Sequence, residues 1–344
     1  MKIFQSPWFE FLRKTGIEEN QAKVLTFYAL QLQNKSLPVV FELAHFSKLL
    51  GVELALISRI ATSPHKFYRS FQVKKRRGGN RDISAPYPKL YYIQSWIKTN
   101  ILENLSIHEA SYAYEKGKSH IDNAKNHIGD RDVLKLDLVD FFGNINIDLI
   151  VKVFINAGYS KKLSCQLANI CSNGVCLPQG SPSSPIISNI VLFELDKELS
   201  ILAQEHKLTY TRYADDLTFS GEKIDHKIFS DVIKKIEGYG FEVNKDKSNI
   251  YKKGKRKTIT GIVVSRDGIR SPKKIRRQFR MDSYNLIKNK HQQFNGELGQ
   301  INPIFLDEVI GRGKYIQTIE PNNVLVRERL ISLLALRKEL LMDG

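Results

Sequence analysis

Thr209-Tyr210-Thr211-Arg212-Tyr213-Ala214-Asp215-Asp216-Leu217-Thr218-Phe219-Ser220 is the stretch on which the reading turns. β-Branched and aromatic residues flank Ala214-Asp215-Asp216, which spells two short strands joined by a tight hairpin with acids at its tip. Asp is also a common turn residue, so the pair alone equally describes a turn that satisfies its own backbone. Upstream, Val133-Leu134-Lys135-Leu136-Asp137-Leu138 reads as a half-buried strand closing on another acid. If the two strands are neighbours, Asp137, Asp215 and Asp216 converge. Clustered carboxylates repel one another and persist where a cation neutralises them. Hard divalent ions such as Mg²⁺ prefer these oxygen ligands and bridge to phosphates. Two of them would align an attacking hydroxyl with an α-phosphate and stabilise a pyrophosphate leaving group.

Around this acidic point the chain is basic. Its 344 residues carry 53 Lys and Arg against 36 Asp and Glu, a net charge of +17, and the pI is near 9.6. Such a surface attracts polyanions, nucleic acid above all. Residues 251–290 hold fourteen Lys or Arg against two acids, Asp267 and Asp282, so +12 of the charge falls there. That segment is the candidate for gripping a nucleic-acid backbone. No apolar run approaches the ~18 residues needed to span a bilayer. Met1 to Pro7 shows no export signal, so a cytoplasmic protein without a membrane partner is expected. Cys165, Cys171 and Cys176 include no CxxC pair, which points to reduced thiols rather than a disulfide framework or a zinc site.

The remaining periodicities are mixed. Residues 1–66 read as helical, and 41–60 have helix–turn–helix rhythm with Gly51 at the turn. Its second helix offers only Arg59 as a cation, which favours packing over DNA readout. Phe67–Val73 and Ile83-Ser84 flank Lys74-Lys75-Arg76-Arg77-Gly78-Gly79-Asn80-Arg81, a hairpin with a cationic tip. Helices are expected over 90–105, 147–157 and 161–172. A further long helix has Ser184 as N-cap and Pro185 as its first residue. Then come a helix over 224–239, strands over 241–244 and 258–265, and helices over 272–289, 303–316 and 324–341. This order predicts an α+β fold with an antiparallel sheet.

Three boxes turn this pattern into a resemblance. Tyr213-Ala214-Asp215-Asp216 resembles the YxDD box of reverse transcriptases. Leu136-Asp137-Leu138-Val139-Asp140-Phe141-Phe142 resembles their first catalytic aspartate box, and Leu177-Pro178-Gln179-Gly180-Ser181-Pro182-Ser183-Ser184-Pro185 their LPQG-x-x-x-SP box. Asn123-Ala124-Lys125-Asn126-His127 matches the NAxxH box of retron reverse transcriptases, and Ile259-Thr260-Gly261 is similar to their VTG box, with Ile for Val. The resemblance runs from about Phe67 to Gly268.

The resemblance implies a right-hand polymerase fold. Residues 1–66 would form a helical extension, 67–130 fingers with a retron-type insertion, 131–268 a palm with part of the fingers, and 269–344 a short basic helical thumb. It implies RNA-directed DNA synthesis on a dedicated structured noncoding RNA of the msr-msd type. Synthesis would start from the 2′-OH of an internal guanosine, leave branched RNA–DNA (msDNA) bound to the enzyme, and serve anti-phage defence with an effector protein encoded alongside. Two Mg²⁺ ions, with Mn²⁺ as the alternative, would be held by Asp137, Asp215, Asp216 and the Leu138 carbonyl. Lys74 (or its neighbour Lys75, Arg76 or Arg77 in its place), Arg81, Phe142 as a steric gate, Gln179 and Gly180 would meet the dNTP. Lys247 is a candidate near the leaving phosphates. Asn123, His127, Lys252, Lys253, Arg256, Lys273, Lys274, Arg276 and Arg277 would meet RNA, His127 having a structural alternative. The rival readings are a group II intron-like reverse transcriptase and a catalytically silent RNA-binding scaffold.

Overall fold

The computed structural model describes residues 3–74, 78–288 and 302–342. The chain opens with α1 (Pro7–Lys14), α2 (Glu19–Asn34), α3 (Leu43–Leu50) and α4 (Leu54–Thr62). Gly51 ends α3 at φ 63°, a left-handed position that glycine takes without the Cβ penalty. Phe46, Leu50, Ile57 and Ile60 are buried, so the helix–turn–helix is a packing unit sharing the main core. A two-stranded hairpin follows, β1 (Tyr68–Lys74) against β2 (Asn80–Pro86), with Lys74 opposite Asn80. Lys75, Arg76 and Arg77 lie outside the described residues.

Next come α5 (Pro88–Asn100), α6 (His120–Lys125), β3 (Asp132–Asp137), α7 (Ile147–Ala157) and α8 (Lys161–Cys171). The single helix expected from Ser184 is two, α9 (Ser184–Val191) and α10 (Phe193–Glu205), parted at Leu192. Ser183, not Ser184, holds the cap position, and the Ser184 hydroxyl is buried without a partner. The break is invisible in the sequence because Ile187, Leu192, Leu195 and Leu199 all enter one core, so the apolar period runs straight through it.

β4 (Thr209–Tyr213), β5 (Asp216–Gly221), α11 (His226–Gly238) and β6 (Asn249–Tyr251) complete a four-stranded antiparallel sheet in the order β4-β5-β3-β6. The strand expected over 241–244 is reduced to one bridge, Val243 to Leu138, because its partners lie at and beyond the end of β3. The strand expected over 258–265 folds back on itself as β7 (Lys257–Ile259) and β8 (Ile262–Ser265), joined by Thr260 at φ 45° and Gly261 at φ 84°. Two consecutive positive φ values match the right-handed twist of a two-residue hairpin, and a threonine there hides the turn from sequence reading. β9 (Gly268–Arg270) closes this three-stranded sheet.

α12 (Lys273–Lys288), α13 (Pro303–Ile319) and α14 (Val324–Met342) build a separate core around Phe279, Leu306, Val309, Ile316, Leu330 and Leu333. Gly313 permits this packing, since a Cβ there would lie 2.6 Å from both Leu330 and Phe279. The expected α+β fold with an antiparallel sheet is the observed one. In β5, Leu217 and Phe219 enter the main core, which turns Asp216, Thr218 and Ser220 to the opposite face.

Candidate active site

The register of β3 and β5 brings the acids together. Asp137 lies directly opposite Asp216, and Asp215 precedes it in the turn whose other residue, Ala214, has φ 57°. Directly opposed residues in an antiparallel pair project to the same face. The Leu138 amide donates to the Asp215 carbonyl at 3.1 Å, locking the end of β3 to the turn. Burial first, and then the negative charges of Asp216 and Asp137, push the Asp215 carboxyl up to about 6. Among the described residues, no group of three or more His, Cys, Asp or Glu side chains is arranged to hold a metal ion by itself. The three carboxylates expected to converge are neighbours here, Asp137 facing Asp216 and both acting on Asp215 beside them. That donor set still fits Mg²⁺, which keeps several waters and is bound through one or two carboxylates plus substrate phosphates.

The facing acids border a cavity of ≈ 1180 Å³. Lys74 and Arg81 of the β1–β2 hairpin line it from one side, and Lys247 and Arg256 from another. Lys247 Nζ sits 2.8 Å from Asp137 Oδ1. Lys135 of β3 lines the cavity as well, so an anionic ligand entering here meets five cations from four separate segments. Of the sequence candidates, Asp137, Asp216, Lys74, Arg81, Lys247 and Arg256 are thus assembled at one cavity.

Phe142, Gln179 and Gly180 are not among its lining residues. Phe142 is half-buried against the main core, its ring tilted on Phe141 with centroids 5.3 Å apart. The Gln179 carbonyl accepts the Ser84 amide at 2.7 Å, joining this loop to β2. Gly180 has φ 128°, and a Cβ there would lie 2.8 Å from the Ser84 carbonyl oxygen. The close approach that its glycine permits in this structure is to the Ser84 backbone of β2. Beneath the loop runs a buried polar chain that the sequence did not signal. Ser181 donates to Gln94 at 2.8 Å, while the Gln94 amide reaches the Tyr68 hydroxyl at 2.6 Å and the Ile170 carbonyl at 2.8 Å.

The NAxxH residues are interior. His127 is fully buried, with Nδ1 2.7 Å from Ser220 Oγ and Nε2 2.7 Å from Thr211 Oγ1. Its ring rivets β4 to β5, the two strands that carry the Ala214–Asp216 turn, so the RNA contact expected of it is replaced by the structural role. Burial, then the charge of Arg131, lowers its pKa to about 3. Asn123 is also fully buried, and both polar atoms of its amide lack a partner, which removes it from RNA contact in this conformation.

The basic candidates divide. Lys252 is tied to Asp132 at 2.8 Å and to the Ile224 carbonyl at 2.6 Å, and the Lys253 amide donates to Asp132 at 3.0 Å. These contacts brace β3 against the segment after β5. On α12, Lys273, Lys274 and Arg277 are exposed, whereas Arg276 is half-buried with its Nε unpartnered. Phe279, Asp282, Ser283 and Leu286 form the inward face of the same helix.

Residues 73–276 match the protein family described as reverse transcriptase (RNA-dependent DNA polymerase). The chain is 33% identical over 296 residues to the Retron Mx162 reverse transcriptase of Myxococcus xanthus, covering 74% of this chain and 61% of that protein. It therefore spans less than two thirds of that relative's length. Against the Retron Ec86 reverse transcriptase of Escherichia coli, identity is 32% over 243 residues, covering 70% of this chain and 76% of that protein. Among solved structures, a telomerase from Candida albicans in complex with a TWJ fragment of telomeric RNA aligns over 86% of this chain and 65% of its own, at 12% identity and a TM-score of 0.45. No described helix is long and apolar enough to cross a membrane.

Proposed function

The chain belongs to the reverse transcriptase family, retron type, and from that premise we propose that it extends DNA on an RNA template in the cavity bordered by Asp137 and Asp216. The observation that carries this reading is the opposition of Asp137 and Asp216 on the wall of a cavity that Lys74 and Arg81 also line. Asp137, Asp215, Asp216 and the Leu138 carbonyl are the groups that would hold two Mg²⁺ ions, or Mn²⁺ in their place. When bound, such ions lower the pKa of the primer hydroxyl and neutralise charge on the leaving pyrophosphate.

The protein's own groups do the rest. Lys74 and Arg81 receive the triphosphate of the dNTP from the hairpin side. Lys247 balances Asp137 until substrate arrives and then lies close to the leaving phosphates. The Gln179–Gly180 loop, bonded to the Ser84 amide of β2, is assigned to the nucleotide site through its hold on that strand. Phe142, five residues beyond Asp137, is the ring we assign to rejecting a ribose 2′-OH. Lys273, Lys274 and Arg277 offer α12 to the template–primer backbone.

We further propose a structured noncoding RNA of the msr-msd type as template, priming from an internal guanosine 2′-OH, and a bound msDNA product. An effector protein encoded alongside would complete a defence system against phage. The test is direct. The protein is purified with its nucleic acid, supplied with Mg²⁺ and dNTPs, and the product is sequenced. DNA branched from RNA is expected. The D215N/D216N double variant should retain RNA and make no DNA. DNA synthesis by that variant would end the site assignment.

A further inference from the structure

Arg212 and Asp196 are both fully buried. A buried ion pair contributes little net stability over an apolar pair of the same volume, because desolvating two charges costs several kcal/mol. Its geometry therefore matters more than its energy. Arg212 Nε lies 2.8 Å from Asp196 Oδ1 and Nη2 lies 2.6 Å from Oδ2, a fork-on-fork arrangement that fixes the guanidinium plane. The Tyr210 hydroxyl donates to the same carboxylate at 2.7 Å.

With two nitrogens held, the third has one direction to point. Nη1 donates to the Ala214 carbonyl and to Asn189 Oδ1, both at 3.1 Å. Ala214 is the left-handed residue of the catalytic turn, and its carbonyl belongs to the peptide that leads into Asp215. A non-glycine residue in that conformation is strained and persists where its surroundings over-determine it. Asn189 extends the grip, since its amide donates to the Ala113 carbonyl at 2.8 Å and its Oδ1 also accepts Ser111 at 2.9 Å. The segment holding Ser111 is itself bonded to the Arg212 backbone on both sides, through Arg212 N to Ala110 O and Tyr112 N to Arg212 O.

We propose that Arg212 is a positioning residue for DNA synthesis: gripped by Asp196 and Asn189, it pins the Ala214 carbonyl and so aims the Asp215 carboxylate into the reaction centre. The proposal rests on the polymerase reading above.

Arg212→Lys keeps a positive partner for Asp196 but removes the second, rigidly directed donor. The full chain is assayed for single-turnover incorporation, with active sites counted by burst amplitude, and for Mn²⁺ affinity by electron paramagnetic resonance without nucleotide. Arg212→Lys should lower the rate per active site about tenfold or more, as small misplacements of reacting groups do. It should weaken Mn²⁺ binding and leave the dNTP KM within about twofold, because Lys74 and Arg81 are untouched. An unchanged rate per site and unchanged Mn²⁺ affinity, or a loss confined to burst amplitude, overturns the proposal. If Arg212→Lys does not fold, Asn189→Ser keeps the ion pair and removes one acceptor of Nη1. The same two readouts then fall by a smaller factor, and equality with the wild type overturns the proposal. A wild-type protein that makes no DNA would instead remove the polymerase reading itself.

Discussion

The ammonium of Lys247 lies 2.8 Å from the carboxylate of Asp137, in the cavity where Asp137 faces Asp216. The ammonium thus competes with any cation for the same oxygens. Because the Lys247 side chain is 58% exposed, solvent screens the pair and its worth is about 0.2–1 kcal/mol. Lys247→Met should therefore tighten Mg²⁺ binding to the nucleotide-free protein by up to about fivefold while slowing incorporation. Calorimetric titration with Mg²⁺ reads the first effect, and weaker binding in the variant would contradict it.

Gly180 makes a second prediction. Alanine at φ 128° is strained, and its Cβ would meet the Ser84 backbone oxygen, which cannot swing away as a side chain can. Gly180→Ala should cost about 1–3 kcal/mol in stability. It should also raise the dNTP KM by displacing β2 and Arg81. Thermal unfolding together with steady-state kinetics checks both, and a variant with an unaltered KM would detach this loop from nucleotide binding.

His127 gives the fold a pH dependence with a definite sign. Its pKa is near 3 in the folded protein against about 6.5 in the unfolded chain, so only the unfolded state takes up a proton as pH falls below 6.5. The stability associated with neutral His127 is complete above pH 6.5 and drains away as pH falls toward 3. His127→Gln, which can hydrogen-bond but not titrate, should flatten the difference in urea stability between pH 7.5 and pH 5. Equal pH slopes for variant and wild type would show that His127 is not the group responsible.

The exposed cations of α12 predict a salt effect. Replacing Lys273, Lys274 and Arg277 together by Gln should weaken RNA binding and reduce the slope of log affinity against log salt by about 2 to 3, one phosphate contact for each cation. Filter binding at several salt concentrations measures this. An unchanged slope would place the RNA elsewhere.

Much of the site was legible because polar residues that break a local pattern stand out. Asp137 at the end of an apolar strand and Asp215-Asp216 at a hairpin tip needed only their neighbours to be noticed, and Lys74 and Arg81 were visible beside Gly78-Gly79. Gln94 and Asn189 gave no such signal. Each is an ordinary polar residue in a helix, and its role arises from what lies across the core, many residues away. The split of α9 from α10 and the turn at Thr260 were hidden for different reasons. In the first, the apolar period continues through the break; in the second, the turn uses a residue that local propensity does not place at positive φ.

By itself, then, the order of residues determined the α+β class, the acidic and basic segments and the boxes that mark the family, since these depend on period, residue type and spacing. Only the folded chain decided that Asp137 meets Asp216, that His127 is a rivet between β4 and β5, and that Arg212 turns inward to hold Ala214. Those outcomes depend on which surfaces bury one another. An arginine in a strand carries the same letter whether water or a buried carboxylate receives it.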